Sequence, residues 1–210
     1  MARLNVNPTR MELTKLKKQF NIARRGHKLL KDKRDELMKN FLQVVKDAKT
    51  LRQNLTQTWL DIQSAFNLAN KAMHPFAVFE ALMLPNTSAT LDISYKNIMS
   101  VNVPRFSPTL NHNTDSKPYG DRGTTKELDE AVEKVVAAYP KMLKLAELEK
   151  SAQLMSDEIE KLRRRVNALE YIMIPQLEET IKYIVMKLDE NERSNLTRLM
   201  KVKEMIYENK

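Results

Sequence analysis

The sequence predicts a fold dominated by α-helices. A long N-terminal and a long C-terminal helix form an antiparallel coiled coil, with a small head of one β-hairpin and short helices between them. Apolar residues recur every three or four positions near both ends of the chain, only 3 glycines and 8 prolines interrupt 210 residues, and 30% of the residues are charged whereas 6% are aromatic. Helices that pack along narrow seams need no thick aromatic core and leave much surface for charges.

The N-terminal segment, residues 1–76, is predicted to be one helix of this coiled coil. Thr9 followed by Glu12 forms a capping box, in which each side chain satisfies a free backbone donor at the start of the helix. From Leu13 onward, apolar residues follow two interleaved sets of sevens over about nine heptads. Three or four heptads are enough to indicate a coiled coil, so this pattern predicts a long one.

The middle segment, residues 77–140, is predicted to form the head. Leu91, Ile93 and Tyr95, and later Val101 and Val103, alternate on a period of two in a stretch rich in β-branched side chains. This alternation is typical of strands and predicts a β-hairpin over about 91–105.

Two further elements complete the predicted head. Residues 107–123 hold two of the three glycines and are predicted to form a turn-rich loop. A short helix is expected from about Thr125 to Ala138, and Pro140 is expected to start the long C-terminal helix. The role of the loop stays open, because it carries no recognisable motif.

The C-terminal segment, residues 141–210, is predicted to be the second long helix, with Leu199 near Leu16 of the first. Its apolar stripe runs straight through Pro175, although proline in a helix interior removes a donor and costs about 3 kcal/mol. Around Pro175 the stripe steps by four three times, which locally unwinds a left-handed supercoil. Pro175 itself lies on the face opposite the stripe, so we expect a bend on one side of the coiled coil.

Several chemistries are excluded or disfavoured by the residues. None of the three glycines is followed by Lys and Ser or Thr, so the phosphate loop of ATP-hydrolysing subunits is absent. The chain has no cysteine, its three histidines are scattered, and no apolar run reaches the roughly 18 residues of a membrane span. His27 is expected to be packed or partner-bonded, and the acidic run at 189–192 to be a solvated face. We find no catalytic, cofactor or metal constellation.

Three arginines, Arg163, Arg164 and Arg165, lie just before the proline. They fan over roughly 200° of helix circumference, so they cannot all contact the companion helix. A solvated basic face, a contact with a partner protein and a nucleic-acid contact are the alternatives that the residues leave open. The last is favoured by the net charge of +9, since residues 1–40 carry 12 Lys or Arg against 4 Asp or Glu. A basic coiled coil that binds nucleic acid is therefore the alternative function.

Several stretches of the chain resemble one family. They are "NPTRMELTKLKKQ" and "ARRGHKLLKDKRDELM" near the start, "KNIMSVNVP" in the predicted hairpin, and "RRRVNALEYIMIPQLEETIKYI" with "LDENER" near the end. Together they resemble the D subunit of the V-type and archaeal A-type rotary ATPases, and are most similar to the bacterial V-type members. The resemblance implies a non-catalytic central rotor subunit, which couples ATP hydrolysis or synthesis in a ring of A and B subunits to proton or sodium transport in the membrane.

The resemblance also implies the partners. They are the F subunit, a hexamer of A and B subunits with one axle per ring, and the membrane-side stalk subunit, called C in bacteria and d in eukaryotes. The chain would then be peripheral, on the cytoplasmic side of the membrane, with no cofactor and no nucleic-acid partner. As contact residues we predict Arg163, Arg164, Arg165, Pro175 and Gln176 on the C-terminal helix, with Leu91, Ile93, Val101 and Val103 in the hairpin.

Overall fold

The computed structural model describes residues 3–83, 87–112, 119–120 and 124–208. Its elements in chain order are α1 (Arg10–Ala72), α2 (Pro75–Leu82), β1 (Thr87–Ile98), β2 (Val101–His112), α3 (Lys126–Ala168), a π-helical turn (Leu169–Met173) and α4 (Ile174–Glu208). The predicted fold class is therefore confirmed: long terminal helices flank a two-stranded antiparallel sheet and a short helix. The chain divides into unit 1 (Met1–Glu36 and Ile159–Lys210) and unit 2 (Leu37–Glu158).

In unit 1, an apolar seam joins α1 to α4. Leu16 and Ala23 form a buried cluster with Leu177 and Ile184. Since most helical stability in proteins comes from packing of an apolar face, this seam is the main source of helical stability here. The sequence prediction that Leu16 lies near Leu199 is wrong in register, because Leu16 packs in the cluster that contains Ile184 and Leu199 is exposed.

Two side-chain contacts in unit 1 give the relative direction of these helices. Arg10 at the start of α1 pairs with Glu192 of α4. Further along α1, the His27 Nε2 lies 3.3 Å from the Glu170 Oε2 in the π-helical turn. Because the partner's number falls as the residue number on α1 rises, the two helices are antiparallel.

The segment before α1 is anchored on α4. The backbone N–H of Leu4 donates a hydrogen bond of 3.2 Å to the Thr180 hydroxyl, which itself donates to the carbonyl of Gln176 at 2.7 Å. The Arg3 guanidinium lies 4.5 Å above the centre of the Tyr183 ring. Thr180 is only 1% exposed, so its hydroxyl needs these partners.

The Thr180→Val variant should release this segment. It removes one hydrogen bond to Leu4 at nearly constant volume, so we expect a loss of about 1 kcal/mol in unfolding free energy and faster limited proteolysis before residue 10. Thr197→Val is the matched control, because the Thr197 hydroxyl also donates to the carbonyl four residues back but is exposed. Equal protease sensitivity in Thr180→Val and the parent would contradict the anchoring role.

In unit 2, α1 and α3 pack together near the end of α1. The buried cluster combines Ala69 and Met73 with Val78 and Ala81 of α2 and with Leu128 of α3. α1 ends at Ala72 and α2 begins at Pro75.

The long N-terminal helix is thus shorter than the predicted segment, which ran to Phe76. Pro75 cannot donate to the carbonyl of Lys71, so the helix ends before it. His74 then caps α2, since its Nδ1 accepts a hydrogen bond of 3.4 Å from the Phe76 N–H. Phe76 continues the heptad count in sequence but is 78% exposed.

The C-terminal helical region begins earlier than predicted. We expected a short helix to end near Ala138 and a new one to start at Pro140, whereas α3 runs from Lys126 through Pro140 to Ala168. Pro140 is exposed, and buried Leu128, Ala131 and Ala138 hold the preceding turns in place. Burial of that face offsets the cost of the proline, which is about 3 kcal/mol.

The predicted β-hairpin is confirmed and is longer than expected. β1 and β2 pair without interruption from Ile98 and Val101 at the turn out to Thr87 and His112. The two turn residues, Met99 and Ser100, have φ values of 52° and 72°, the pattern of a two-residue type I′ turn. Part of the predicted loop 107–123 is therefore strand, and residues 113–118 and 121–123 of that loop lie outside the described residues.

Candidate partner interfaces

A π-helical turn accommodates Pro175. Within Leu169–Met173 the hydrogen bonds shift, and the Ile174 N–H donates to the Leu169 carbonyl, five residues back. A regular α-helix would place the Pro175 ring against the Tyr171 carbonyl and leave that carbonyl without its donor. The wider turn holds an extra residue, which explains why the apolar stripe steps by four here. Such turns often mark functional sites.

An open apolar groove of about 540 Å³ lies beside this turn in unit 1. The space over Gly26, one of its lining residues, is open, because a Cβ at this position would meet no atom within 4 Å. Pro175 and Gln176, two of the predicted contact residues, are both half-buried, and Gln176 lines the groove. The lining residues are Leu4, Gln19, Ile22, Ala23, Gly26, Leu169, Met173, Gln176 and Leu177.

His27 links α1 to the π-helical turn. Its side chain is 18% exposed and its Nε2 contacts the carboxylate of Glu170, which is more exposed. The expectation of a packed or partner-bonded histidine is confirmed. Since Glu170 belongs to the turn itself, this contact holds the turn against α1.

The three arginines lie where the sequence pattern predicted. Arg163, Arg164 and Arg165 are all exposed, between two seam residues, Leu162 and Val166, that are each 1% exposed. Arg164 pairs with Glu160 one turn earlier on the same helix. Among the described residues, Arg163 and Arg165 have no ion pair. The arrangement presents cationic groups outward from a fixed helix.

The structure separates the four predicted hairpin residues into two pairs. Leu91 and Ile93 are 39% and 54% exposed, whereas Val101 and Val103 are 7% and 5% exposed. Val101 and Val103 therefore belong to the packed interior of unit 2. Tyr95, which we did not select as a contact residue, is 73% exposed on the same side of β1 as Leu91 and Ile93. Its position two residues beyond Ile93 was the available sequence signal.

The model for the ATP synthase D subunit family matches residues 12–204. The chain belongs to this family. A V-type ATP synthase D subunit from Clostridium novyi (strain NT) is 57% identical over 209 residues, covering 98% of this chain and 97% of that protein. One from Acetivibrio thermocellus is 56% identical over 210 residues, covering 99% and 95%. One from Thermoanaerobacter sp. (strain X514) is 54% identical over 206 residues, covering 98% and 99%.

Family membership confirms the resemblance that the quoted sequence stretches indicate. Within the part of this chain that the structure describes, no helix combines the length and apolar character needed to cross a bilayer. Nor do three or more His, Asp or Glu side chains of the described residues meet in an arrangement that could hold a metal ion.

The acidic run of residues 189–192 is part of ion pairs on the surface of α4. Glu190 accepts a hydrogen bond of 2.7 Å from the Lys187 ammonium, which lowers the pKa of the Glu190 carboxyl and raises the pKa of Lys187. Glu192 pairs with Arg10. Both carboxylates are solvent-exposed, so the acidic run is a solvated face of the helix, as predicted from the sequence.

Proposed function

We propose that this chain is the non-catalytic central-stalk rotor subunit of a V/A-type ATPase. It transmits rotation between ATP hydrolysis or synthesis in the ring of A and B subunits and proton or sodium transport by the membrane ring. Family membership supports a role in that complex. The finer assignment rests on how unit 1 is built: its apolar seam is satisfied internally, yet much apolar and cationic surface still faces outward.

The exposed end of α4 is the observation that carries the proposal. α1 starts at Arg10, which pairs with Glu192, and every residue of α4 from Asp189 to Tyr207 is exposed. This stretch nevertheless continues an apolar stripe at helical spacing. The stripe consists of Leu196, Leu199, Val202 and Ile206, which are 48% to 65% exposed. An exposed apolar stripe of this kind needs a covering surface, and a ring that encloses both chain termini would supply it.

The arginines provide the second type of contact with the ring. An axle inside a ring of three-fold character meets similar surfaces in different orientations, so its contacts must form and release. Exposed ion pairs contribute only about 0 to 1 kcal/mol each, which matches that requirement. Arg163, Arg164 and Arg165 would therefore pair with carboxylates of one catalytic subunit after another as the axle turns.

Changing Arg163, Arg164 and Arg165 together to Gln tests this role. We expect the helices to stay folded by circular dichroism, because all three side chains are exposed. Binding to a ring of three A and three B subunits should weaken by roughly tenfold to hundredfold at low salt, and the difference should shrink as salt is added. The rate or torque of rotation should change as well.

A matched control removes three exposed charges from unit 2. Lys126, Lys141 and Lys144 changed to Gln cause the same change in net charge outside the proposed ring contact. Assembly and rotation like the parent's at every ionic strength in the arginine variant would show that the arginines are only a solvated face.

The hairpin is the proposed contact with the F subunit and with the membrane-side stalk protein, the C or d subunit. In unit 2 it presents Leu91, Ile93 and Tyr95 outward on one face of a β-strand, whereas other exposed apolar residues of this unit, such as Trp59 and Phe79, lie on helices. Because this strand face differs from the helical surface that would contact the ring, it suits other partners. The chain would thus act on the cytoplasmic side of the membrane as a peripheral part of the complex.

Changing Leu91, Ile93 and Tyr95 to Ser should impair ATPase stimulation or coupling while leaving the helix content unchanged. The three side chains are exposed, so their loss affects contacts rather than packing. Arg105→Ser, an exposed change on the other strand of the hairpin, serves as the control. Full activity and coupling in the triple variant would remove this face from the mechanism. The measurement is ATP-driven ion transport alongside ATP hydrolysis in the reconstituted complex.

A further inference from the structure

The outer edge of β2 already has a partner. The Phe106 N–H donates a hydrogen bond of 3.0 Å to the carboxylate of Glu147 on α3, so this N–H points away from β1. Pro104 and Pro108 occupy the positions two residues to either side, where a missing N–H removes no bond to β1. Ile93, the partner of Phe106, therefore belongs to a pair that exchanges no hydrogen bonds.

It follows that β1 offers a free edge on its other side. In an antiparallel pair the bonding alternates, so Leu91, Ile93 and Tyr95 all direct their N–H and C=O groups away from β2. Every residue from 88 to 97 is exposed, and no hydrogen bond among the described residues reaches this edge. β1 also lacks proline and bulges, two of the devices that block pairing at a sheet edge.

The side chains of β1 differ between its two faces. One face carries Leu91, Ile93 and Tyr95, and the other carries Asp92 and Lys96 on either side of Ser94. If a second copy of β1 pairs antiparallel along this edge, its residues run in the opposite direction. The Asp92 end of one strand then lies beside the Lys96 end of the other. The strand is therefore complementary to itself in charge and in its outward hydrogen-bonding groups.

We infer that two copies of this chain associate through their β1 edges into one continuous four-stranded antiparallel sheet. With Ser94 opposite Ser94 of the other copy, Ile93 lies opposite Tyr95 and Asp92 lies opposite Lys96, each twice by symmetry. Opposite charges and aromatic–β-branched pairs directly across a sheet are favourable. The inference concerns the chain before assembly and does not depend on the rotor proposal.

Other registers are poorer. A shift of one residue turns the bonding groups of one strand away from the other, so only shifts of two are possible. A shift of two in either direction places one charged residue opposite Ser94, and a shift of four places Asp92 opposite Asp92 or Lys96 opposite Lys96. The charge pattern therefore selects a single symmetric pairing.

The test is the oligomeric state of the purified full chain, measured by sedimentation equilibrium over the micromolar range. The parent should dimerise. D92K and K96D should each weaken the dimer by about tenfold or more, because each places like charges opposite one another at both pairs of positions 92 and 96. D61K makes the same charge change on an exposed position of α1 and should dimerise like the parent.

An equimolar mixture of D92K and K96D should recover dimers, since a dimer with one copy of each variant places opposite charges at both pairs of positions 92 and 96. Native mass spectrometry identifies them by the different masses of the two variants, and recovery also shows that both variants are folded. A parent that stays monomeric, single variants that dimerise like the parent, or a mixture that stays monomeric would each overturn the inference. A parent monomer whose β1 edge binds another protein of the complex instead would overturn it too and assign the edge to that protein.

Discussion

Burial of a narrow apolar seam between antiparallel helices is the interaction on which each unit depends. In proteins most helical stability comes from packing of an apolar face, and 30% charged residues leave few side chains to bury. The seam in unit 1 joins Leu16 and Ala23 to Leu177 and Ile184, and the cluster in unit 2 joins the end of α1 to α2 and α3. Everything else in the molecule has to be accommodated without breaking these contacts.

Pro175 shows how strong that requirement is. The proline cannot complete the α-helical bonding, yet the chain keeps Leu169 and Leu177 packed against α1. The π-helical turn resolves the conflict by adding a residue to the turn before the proline. One consequence is the groove beside the turn, bordered by Gly26 and Met173, which makes this side of unit 1 different from the others. Such a one-sided surface suits the proposed rotor role, in which one chain acts in succession on equivalent subunits of a ring.

Much of this could be predicted from the sequence, because periodic apolar patterns record which face is buried. The helical class, the hairpin and the exposed arginines follow from such patterns. The helix boundaries near Pro75 and Pro140 could not be predicted from such patterns. The two prolines look alike in sequence, and tertiary packing decides which one ends a helix. The burial of Val101 and Val103 was also beyond the pattern, since alternation shows that a strand has two faces but not which face the helices cover. The anchoring of Leu4 by Thr180 joins residues far apart in the chain, and no local signal marks it.

The central claim is that the chain turns inside the ring, and a reversible covalent link tests it most directly. The chain has no cysteine, so Arg164→Cys provides a single exposed thiol next to the seam. In an assembled complex in which one ring protein, A or B, carries one facing cysteine, oxidation should join the two proteins and stop ATP hydrolysis. Reduction should restore it to the rate before oxidation. Continued hydrolysis at the original rate while the link is intact would contradict the claim that this chain is the rotor.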